Sequence, residues 1–393
     1  MTIETGNEKE RVLPRLLTPA AVLLLAAAAV YGLMREKAGL RELIYAAFPD
    51  SGVITVDAAG FYHAELDTGA VIVPASAPGY GGDVTVAVRL SRRGDVLETV
   101  ILNHQETAAF MRRVLRGRFA DSLAGKSFRD PFVPGQDCDA VSGATRTCAA
   151  IAGAAGTAAR RFAAERLGEE GEGDERPAIS WGAAETALLI LFIVGIFGRS
   201  RYCRSAKQLR WISLTAGVVL LGFVFNRPFV LANINRFLNG YFPSFRTDIY
   251  IYLLLAGIIG IPLVSGKNPY CNWFCPFGGV QELFGVIGGA KNRLPGSLDR
   301  ILKMLPSLLA FLAVAAALAL RNSSAPSYEI FGVMFRLIGE PWQFLLLAAV
   351  IIISLIIPRP WCRYLCPLRP VTDGLRRLRS LIAGRAASQQ RNT

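Results

Sequence analysis

Six apolar stretches constrain the fold of this 393-residue chain more than any other feature of its sequence. A helix that crosses a bilayer needs about 20 mostly apolar residues, with a range of roughly 17–25. Hydrophobic residues make up 52% of the chain, which is too apolar for a set of soluble domains. We therefore predict an α-helical membrane protein with six transmembrane helices, at Leu16–Met34, Trp181–Gly198, Trp211–Asn226, Ile249–Gly266, Met304–Leu320 and Pro341–Pro358.

The Lys and Arg residues beside these stretches predict their orientation. The side of the two termini carries 21 of them, whereas the short loops 227–248 and 321–340 carry 5. Basic segments stay in the cytoplasm, so we expect both termini on the inner side of a bacterial cytoplasmic (inner) membrane and residues 38–175 outside, in the periplasm. The net charge of +13 is then a topology signal, and we expect no nucleic-acid partner.

Two alternatives concern the apolar stretches themselves. The first stretch also fits the core of a signal peptide, because it follows a basic start and is rich in alanine. Arg35 and Lys37, directly after it, favour an uncleaved anchor. A transporter is disfavoured because the six stretches contain one carboxylate, Glu185.

Residues 38–167 differ in composition from the membrane part. Short runs with strand character alternate with Gly and Pro, and an alanine-rich run with helical spacing follows them. These runs are Val53–Val56, Val71–Val73, Val84–Leu90, Val96–Leu102 and the helical Cys148–Leu167, with a hairpin turn at 91–95. We predict an anchor over 1–37, an α+β extracytoplasmic domain over 38–167, an acidic linker over 168–180 and a five-helix membrane domain over 181–393.

A short polar turn precedes the alanine-rich helix. It reads Asp139-Ala140-Val141-Ser142-Gly143-Ala144-Thr145. A helix N-terminus offers unsatisfied N–H groups and the positive end of the helix dipole, so such a turn can hold a phosphate. Taken alone, the same residues are more often a simple helix cap.

The turn resembles the flavinylation motif Asp-x-x-Ser-Gly-Ala-Thr of the covalent-FMN domain family. In that family a separate flavin transferase joins FMN to the threonine through a phosphoester bond. The matching residue here is Thr145, and Thr147 is the less favoured neighbour. Further matches occur in the family's order at Pro78–Gly82, at His104–Thr107 and at Phe119–Phe128, which contains Gly125-Lys126. The resemblance implies a covalent FMN site formed by Thr145, Asp139, Ser142, Gly143, Ala144, Glu106 and Thr107.

Cys138 and Cys148 flank the flavin turn. In an extracytoplasmic compartment a disulfide between them is slightly favoured. Two free thiols and a redox-active pair are the alternatives.

Two copies of Cys-x-x-x-Cys-Pro follow the fourth and sixth apolar stretches and form an internal repeat. They contain Cys271 and Cys275, then Cys362 and Cys366. The spacing places two sulfurs on one helical face, and the proline favours a new helix start, where a thiolate is stabilised. Four thiolates can hold a [4Fe–4S] cluster, a [2Fe–2S] cluster or Zn²⁺, of which we favour iron–sulfur, most simply [4Fe–4S].

The whole chain resembles NosR-like membrane flavoproteins associated with reductive dehalogenases. The resemblance implies electron transfer between the quinone pool, or a cytoplasmic iron–sulfur centre, and an outer covalent FMN that serves an exported redox enzyme. On the predicted topology the two centres lie on opposite sides of a hydrocarbon core about 30 Å thick, so a quinone or other membrane electron carrier is expected between them. The alternative is a redox-sensing regulatory or maturation protein for an exported metalloenzyme.

Overall fold

The computed structural model describes residues 6–35, 39–56, 62–65, 69–169, 179, 181–198, 205–291, 294–324 and 326–390. The chain divides into two compact units. The first comprises Met1–Glu175, Ala232–Phe242 and Leu312–Ser327, and the second comprises Arg176–Leu231, Pro243–Phe311 and Tyr328–Thr393. Most of the predicted linker over 168–180 lies outside the described residues, as does Cys203.

The first unit contains a five-stranded antiparallel sheet whose strands follow chain order. After helices α1 (Gly6–Arg35) and α2 (Leu40–Ala47) come strands β1 (Ile54–Val56), β2 (Tyr62–Glu65), β3 (Val71–Pro78), β4 (Asp83–Leu90) and β5 (Val96–His104). All four predicted strands and the hairpin turn at 91–95 are confirmed. β3 is longer than predicted because its pairing with β4 continues to Pro78 and Asp83. β2 was not predicted.

Helices cover both faces of this sheet. α3 (Ala108–Arg116) and a 3₁₀ turn at Phe119–Leu123 lead towards α4 (Thr145–Phe162). The alanine-rich α4 packs on β3 and β4, against the fully buried Val84, Val86 and Val88. α2 packs on the opposite face, which presents the intervening residues of the strands. The predicted alanine-rich helix is confirmed and ends in a π-helical turn at Ala163–Leu167.

The rest of the chain is helical. In order it forms α5 (Ala183–Phe197), α6 (Ala206–Ala216), α7 (Leu231–Leu238), α8 (Ile249–Leu255), α9 (Ile261–Ser265), α10 (Pro276–Ile287), α11 (Gly296–Leu302), α12 (Leu305–Leu320), α13 (Phe331–Arg336), α14 (Pro341–Ser354), α15 (Pro360–Tyr364) and α16 (Leu368–Gln390). π-helical segments extend α6 over Gly217–Val224 and join α8 to α9 over Ala256–Gly260. Most of α7 and of α12 belongs to the first unit.

Each of the six predicted apolar stretches falls mainly on helix, and the last four residues of the sixth lie beyond the end of α14. Two helical runs in the described part of the chain are long and apolar enough to cross a bilayer, Ala206–Val224 and Gly296–Leu320. Four others are apolar but shorter: Pro19–Met34, Ala183–Phe197, Ile249–Ser265 and Pro341–Ser354. Large apolar side chains such as Ile190 on α5 and Leu345 on α14 are exposed. The arrangement of six spans stays a prediction.

Candidate functional site

A buried carboxylate, that of Glu106, joins three segments of the first unit. The residue lies just after β5 and is 1% exposed. Its Oε1 atom accepts N–H hydrogen bonds from Tyr80 at 2.6 Å and from Gly81 at 3.0 Å. Its Oε2 atom accepts a hydrogen bond from the Thr147 hydroxyl at 2.8 Å. Because these donors replace the lost hydration of the carboxylate, Glu106 fixes the β3–β4 turn against the start of α4.

Two glycines of the β3–β4 turn permit this close approach. A Cβ atom at Gly79 would lie 2.2 Å from Oε1 of Glu106, and one at Gly81 would lie 2.1 Å from the carbonyl oxygen of Gln105. Both distances are far below van der Waals contact. Gly79 and Gly81 are therefore required by packing around Gln105 and Glu106.

The structure places Thr145 and Thr147 in different surroundings. Thr145 is the first residue of α4 and is exposed. Thr147 is 2% exposed and its hydroxyl is bonded to Glu106. A helix N-terminus presents N–H groups without intrahelical partners and carries a partial positive charge. The geometry thus favours Thr145 over Thr147 for attachment of a phosphate.

The other predicted flavin residues lie around the two helix starts. Asp139 and Ser142 are exposed, and Gly143 has a left-handed φ of 84°. Ala144 is buried and forms the N-cap of α4, while the half-buried Thr107 forms the N-cap of α3. Contact of these residues with a flavin stays a prediction.

Lys126, which belongs to one of the family matches, stabilises the loop that leads to the flavin turn. Its ammonium group donates to Asp137 Oδ2 at 3.0 Å and also to the Asp137 carbonyl oxygen. The same carboxylate accepts the N–H groups of Phe132 at 3.0 Å and Val133 at 2.6 Å. Partial burial raises the pKa of Asp137, but these donors outweigh it and hold the pKa below its usual value. No pattern in the sequence indicates the role of Asp137.

His104, the first residue of the family match His104–Thr107, is half-buried. Burial lowers its pKa, and the nearby Glu106 offsets this in part. The imidazole is therefore neutral at pH 7.

The disulfide that the sequence slightly favours is not formed. Cys138 and Cys148 are both free thiols. Cys148 is fully buried in the core between α4 and the sheet, and Cys138 packs against that core. Burial and the charge of Asp137 raise the pKa of Cys138 to about 11. Both groups are therefore protonated at neutral pH and unreactive.

A buried polar cluster connects the β3–β4 turn region to two other segments of the first unit. Ser323 Oγ bonds to Gln105 Oε1 at 3.1 Å. Asn235 and Asn239, on and just after α7, donate to the Ser323 carbonyl oxygen at 3.1 Å and to its hydroxyl at 3.4 Å. Arg236 donates to the carbonyl oxygen of Tyr80 at 3.4 Å. The sequence predicts that the loops containing these residues lie on the outer side, together with the α+β domain.

The two Cys-x-x-x-Cys-Pro motifs, both in the second unit, have matching backbone geometry. Tyr270–Phe274 forms a π-helical turn, and the N–H of Cys275 bonds to the carbonyl oxygen of Tyr270 at 2.8 Å. In the second motif the N–H of Cys366 bonds to the carbonyl oxygen of Trp361, also at 2.8 Å. In each motif a helix, α10 or α16, begins directly after the second cysteine or its proline. The predicted internal repeat is confirmed at the level of these hydrogen bonds.

Hydrogen bonds within the second unit connect the two cysteine motifs. Arg359, just before the second motif, donates to the carbonyl oxygen of Cys271 at 3.0 Å. Gln281, just after the first motif, accepts the N–H of Trp361 at 2.8 Å, and its Nε2 atom lies 3.4 Å from the sulfur of Cys362. All four motif cysteines are half-buried, and four thiolates are the donor set that an iron–sulfur cluster needs.

Within the described residues, no three Cys, His, Asp or Glu side chains are arranged to hold one metal ion. Four cysteine thiolates are the ligand set of an iron–sulfur cluster and also of structural Zn²⁺. The choice of iron–sulfur over zinc stays a prediction.

Two family models match the chain in the regions of these two sites. A model described as "FMN-binding domain" matches residues 79–160. A model described as "4Fe-4S binding domain" matches residues 247–295 and 341–385, which contain all four motif cysteines.

Three curated relatives are similar to part of the chain. Protein NirI of Paracoccus denitrificans is 28% identical over 207 residues, which are 47% of this chain and 30% of that protein. Regulatory protein NosR of Pseudomonas aeruginosa is 28% identical over 205 residues, 48% of this chain and 28% of that protein. The putative electron transport protein YccM of Escherichia coli is 27% identical over 215 residues, 49% of this chain and 57% of that protein.

The chain therefore spans less than two thirds of the length of each of these relatives. Together with the two family models, the similarities support a flavin and iron–sulfur protein that is similar to NosR, and a role in electron transfer.

Proposed function

We propose that this chain is an electron-transfer flavoprotein of the bacterial inner membrane. It carries FMN esterified to Thr145 on the outer side and a [4Fe–4S] cluster on the four motif cysteines on the inner side. The observation that carries the proposal is that hydrogen bonds connect two repeated motifs which together supply four half-buried cysteines. They occur in a chain whose α+β domain presents Thr145 at a helix N-terminus.

The flavin half of the proposal rests on three features of the first unit. The exposed Thr145 hydroxyl is accessible to a flavin transferase, whereas that of Thr147 is bonded to Glu106. The start of α4 stabilises a phosphate through its N–H groups and dipole. Glu106 holds the β3–β4 turn beside that helix start.

The cluster half rests on the second unit. The four half-buried cysteines would bind the cluster as thiolates. When bound, FMN exchanges two electrons and an iron–sulfur cluster exchanges one, so the protein's part is to hold each group and set its potential. We propose a quinone as the carrier between the two centres and an exported redox enzyme as the outer partner.

The buried polar cluster supports the proposed topology. Gln105 and Tyr80 of the α+β domain are hydrogen-bonded to Ser323 and Arg236. The distribution of basic residues assigns the loops with Ser323 and Arg236 to the outer side. The hydrogen bonds and the basic residues thus both favour a topology in which the α+β domain and these loops lie on one side of the membrane. Both termini then lie on the other side.

A second candidate is a redox-sensing regulatory protein, because NosR carries the word "regulatory" in its name. The two functions differ in turnover. An electron carrier reduces and reoxidises its flavin at catalytic rates with a quinol or quinone, whereas a sensor equilibrates slowly.

Stopped-flow absorbance of the flavinylated protein in liposomes tests the proposal. We expect quinol to reduce the flavin, and a soluble outer oxidant to reoxidise it repeatedly. A single slow reduction without turnover would favour the regulatory function.

A further inference from the structure

The side chain of Gln281 connects the two cysteine motifs. It lies on α10, six residues after Cys275, and is fully buried. Its Oε1 atom accepts the N–H of Trp361 at 2.8 Å. Its Nε2 atom donates to the carbonyl oxygen of Phe277 at 3.1 Å and lies 3.4 Å from the sulfur of Cys362.

The orientation of this amide follows from its partners. The backbone N–H of Trp361 can only donate, so the oxygen of Gln281 must face it. The –NH₂ group then faces the Cys362 sulfur, with one hydrogen for the Phe277 carbonyl oxygen and the other for the sulfur. The amide donor to the sulfur is thus fixed by the surrounding hydrogen bonds.

The next residue, Glu282, holds the first motif from the other side. It forms a two-fold ion pair with Arg210 at 2.6 and 2.7 Å and also pairs with Arg359. Arg210 donates to the carbonyl oxygen of Asn272 at 3.1 Å, and Arg359 donates to that of Cys271 at 3.0 Å. Two arginine side chains therefore hold the backbone of the first motif in place, which keeps Gln281 beside Cys362.

The second half of the repeat has a different residue at the equivalent position. Six residues after Cys366 stands Thr372, which is also buried. Its hydroxyl donates to the carbonyl oxygen of Arg369 at 3.0 Å. Asp373, at the position equivalent to Glu282, pairs with Arg369 and Arg376 on its own helix. The first half of the repeat thus places an amide donor beside a cysteine sulfur, whereas the second half places a hydroxyl that bonds to its own helix.

We propose that Gln281 is a positioning residue that raises the reduction potential of the iron–sulfur centre by hydrogen bonding to the sulfur of Cys362. A donor to a ligating sulfur withdraws electron density and stabilises the more negative, reduced cluster. This inference rests on the proposed function, because it assumes a cluster on the four cysteines.

The test compares Gln281→Leu and Gln281→Glu with the matched control Thr372→Val in anaerobically purified protein. Gln281→Glu keeps an oxygen acceptor for Trp361 and loses the donor to the sulfur. Electron paramagnetic resonance titration gives the midpoint potential of each protein. Pulsed measurements on the reduced cluster detect exchangeable protons near it.

We expect both Gln281 variants to retain iron, to lose one exchangeable-proton coupling and to have a lower midpoint potential. Thr372→Val should keep the wild-type coupling and potential. A Gln281→Glu protein with wild-type coupling and potential would overturn the inference, as would an equal shift in Thr372→Val. Wild-type protein without iron would instead refute the proposed function, so the two failures are distinguishable.

Discussion

The Thr147 hydroxyl donates a hydrogen bond to Oε2 of Glu106 at 2.8 Å, in a site where both residues are buried. This contact connects residues 41 positions apart in the sequence. It leaves the neighbouring Thr145 as the exposed threonine at the start of α4. This hydrogen bond therefore gives Thr147 a structural role and leaves Thr145 as the candidate attachment residue.

The first prediction concerns covalent flavin. Thr145→Ala, co-expressed with a flavin transferase, should lose the in-gel fluorescence of denatured protein and the added mass of FMN, because the attachment oxygen is gone. Thr147→Ser is the matched control, since it changes a threonine two residues away but keeps the hydroxyl that bonds to Glu106, and it should remain flavinylated. Covalent flavin in Thr145→Ala would contradict the assignment.

The second prediction concerns the stability of the α+β domain. Glu106→Leu removes the acceptor of the Tyr80 and Gly81 N–H groups and of the Thr147 hydroxyl, which should lower the free energy of unfolding by about 2–5 kcal/mol. Glu106→Gln keeps one oxygen for these amides, and the Thr147 hydroxyl can turn to accept from its –NH₂ group. We therefore expect a smaller loss, measured by chemical denaturation. Equal losses in both variants would argue against this hydrogen-bond network.

The third prediction concerns acid stability. The pKa of Asp137 in the folded protein lies below its ordinary value of 3.8. Its contribution to stability is thus fully present above about pH 4 and is lost as the pH falls through the folded value. Asp137→Asn should be less stable than wild type at pH 7, and the difference should shrink towards pH 2. A constant difference across this range would show that the ionised carboxylate is not the cause.

Local patterns in the sequence were sufficient for part of this architecture. The alternating valines of β4 and the alanine-rich spacing of α4 predicted both elements, because each has a strong period and a buried face. β2 is four residues long with polar members and carries no comparable signal. The repeated cysteine spacing likewise predicted the candidate cluster site.

Contacts between residues that are distant in the sequence could not be predicted from local patterns. Gln281 and Cys362 are 81 positions apart, and Gln105 and Ser323 are 218 positions apart. Their pairing depends on how helices pack, which neither residue type nor spacing indicates. The predicted disulfide between Cys138 and Cys148 was wrong for the same reason, because the burial of Cys148 in the core has no local signature.

The fourth prediction concerns topology. A reporter fused at residue 171 should be active only outside, and one fused at residue 393 only inside, because basic flanks remain in the cytoplasm. The measurement is paired alkaline phosphatase and green fluorescent protein activity. Two fusions that report the same side would break the six-span arrangement.

The metal and flavin content of anaerobically purified protein, co-expressed with a flavin transferase, tests the central claim most directly. We predict about four iron per chain, with one covalent FMN, because the four cysteines complete the ligand set of one [4Fe–4S] cluster. Cys275→Ser should remove the visible absorption of the cluster and leave the flavin intact. About two iron per chain would mean that each site needs a second subunit. Zinc without iron would contradict the account and leave the flavin as the sole redox centre.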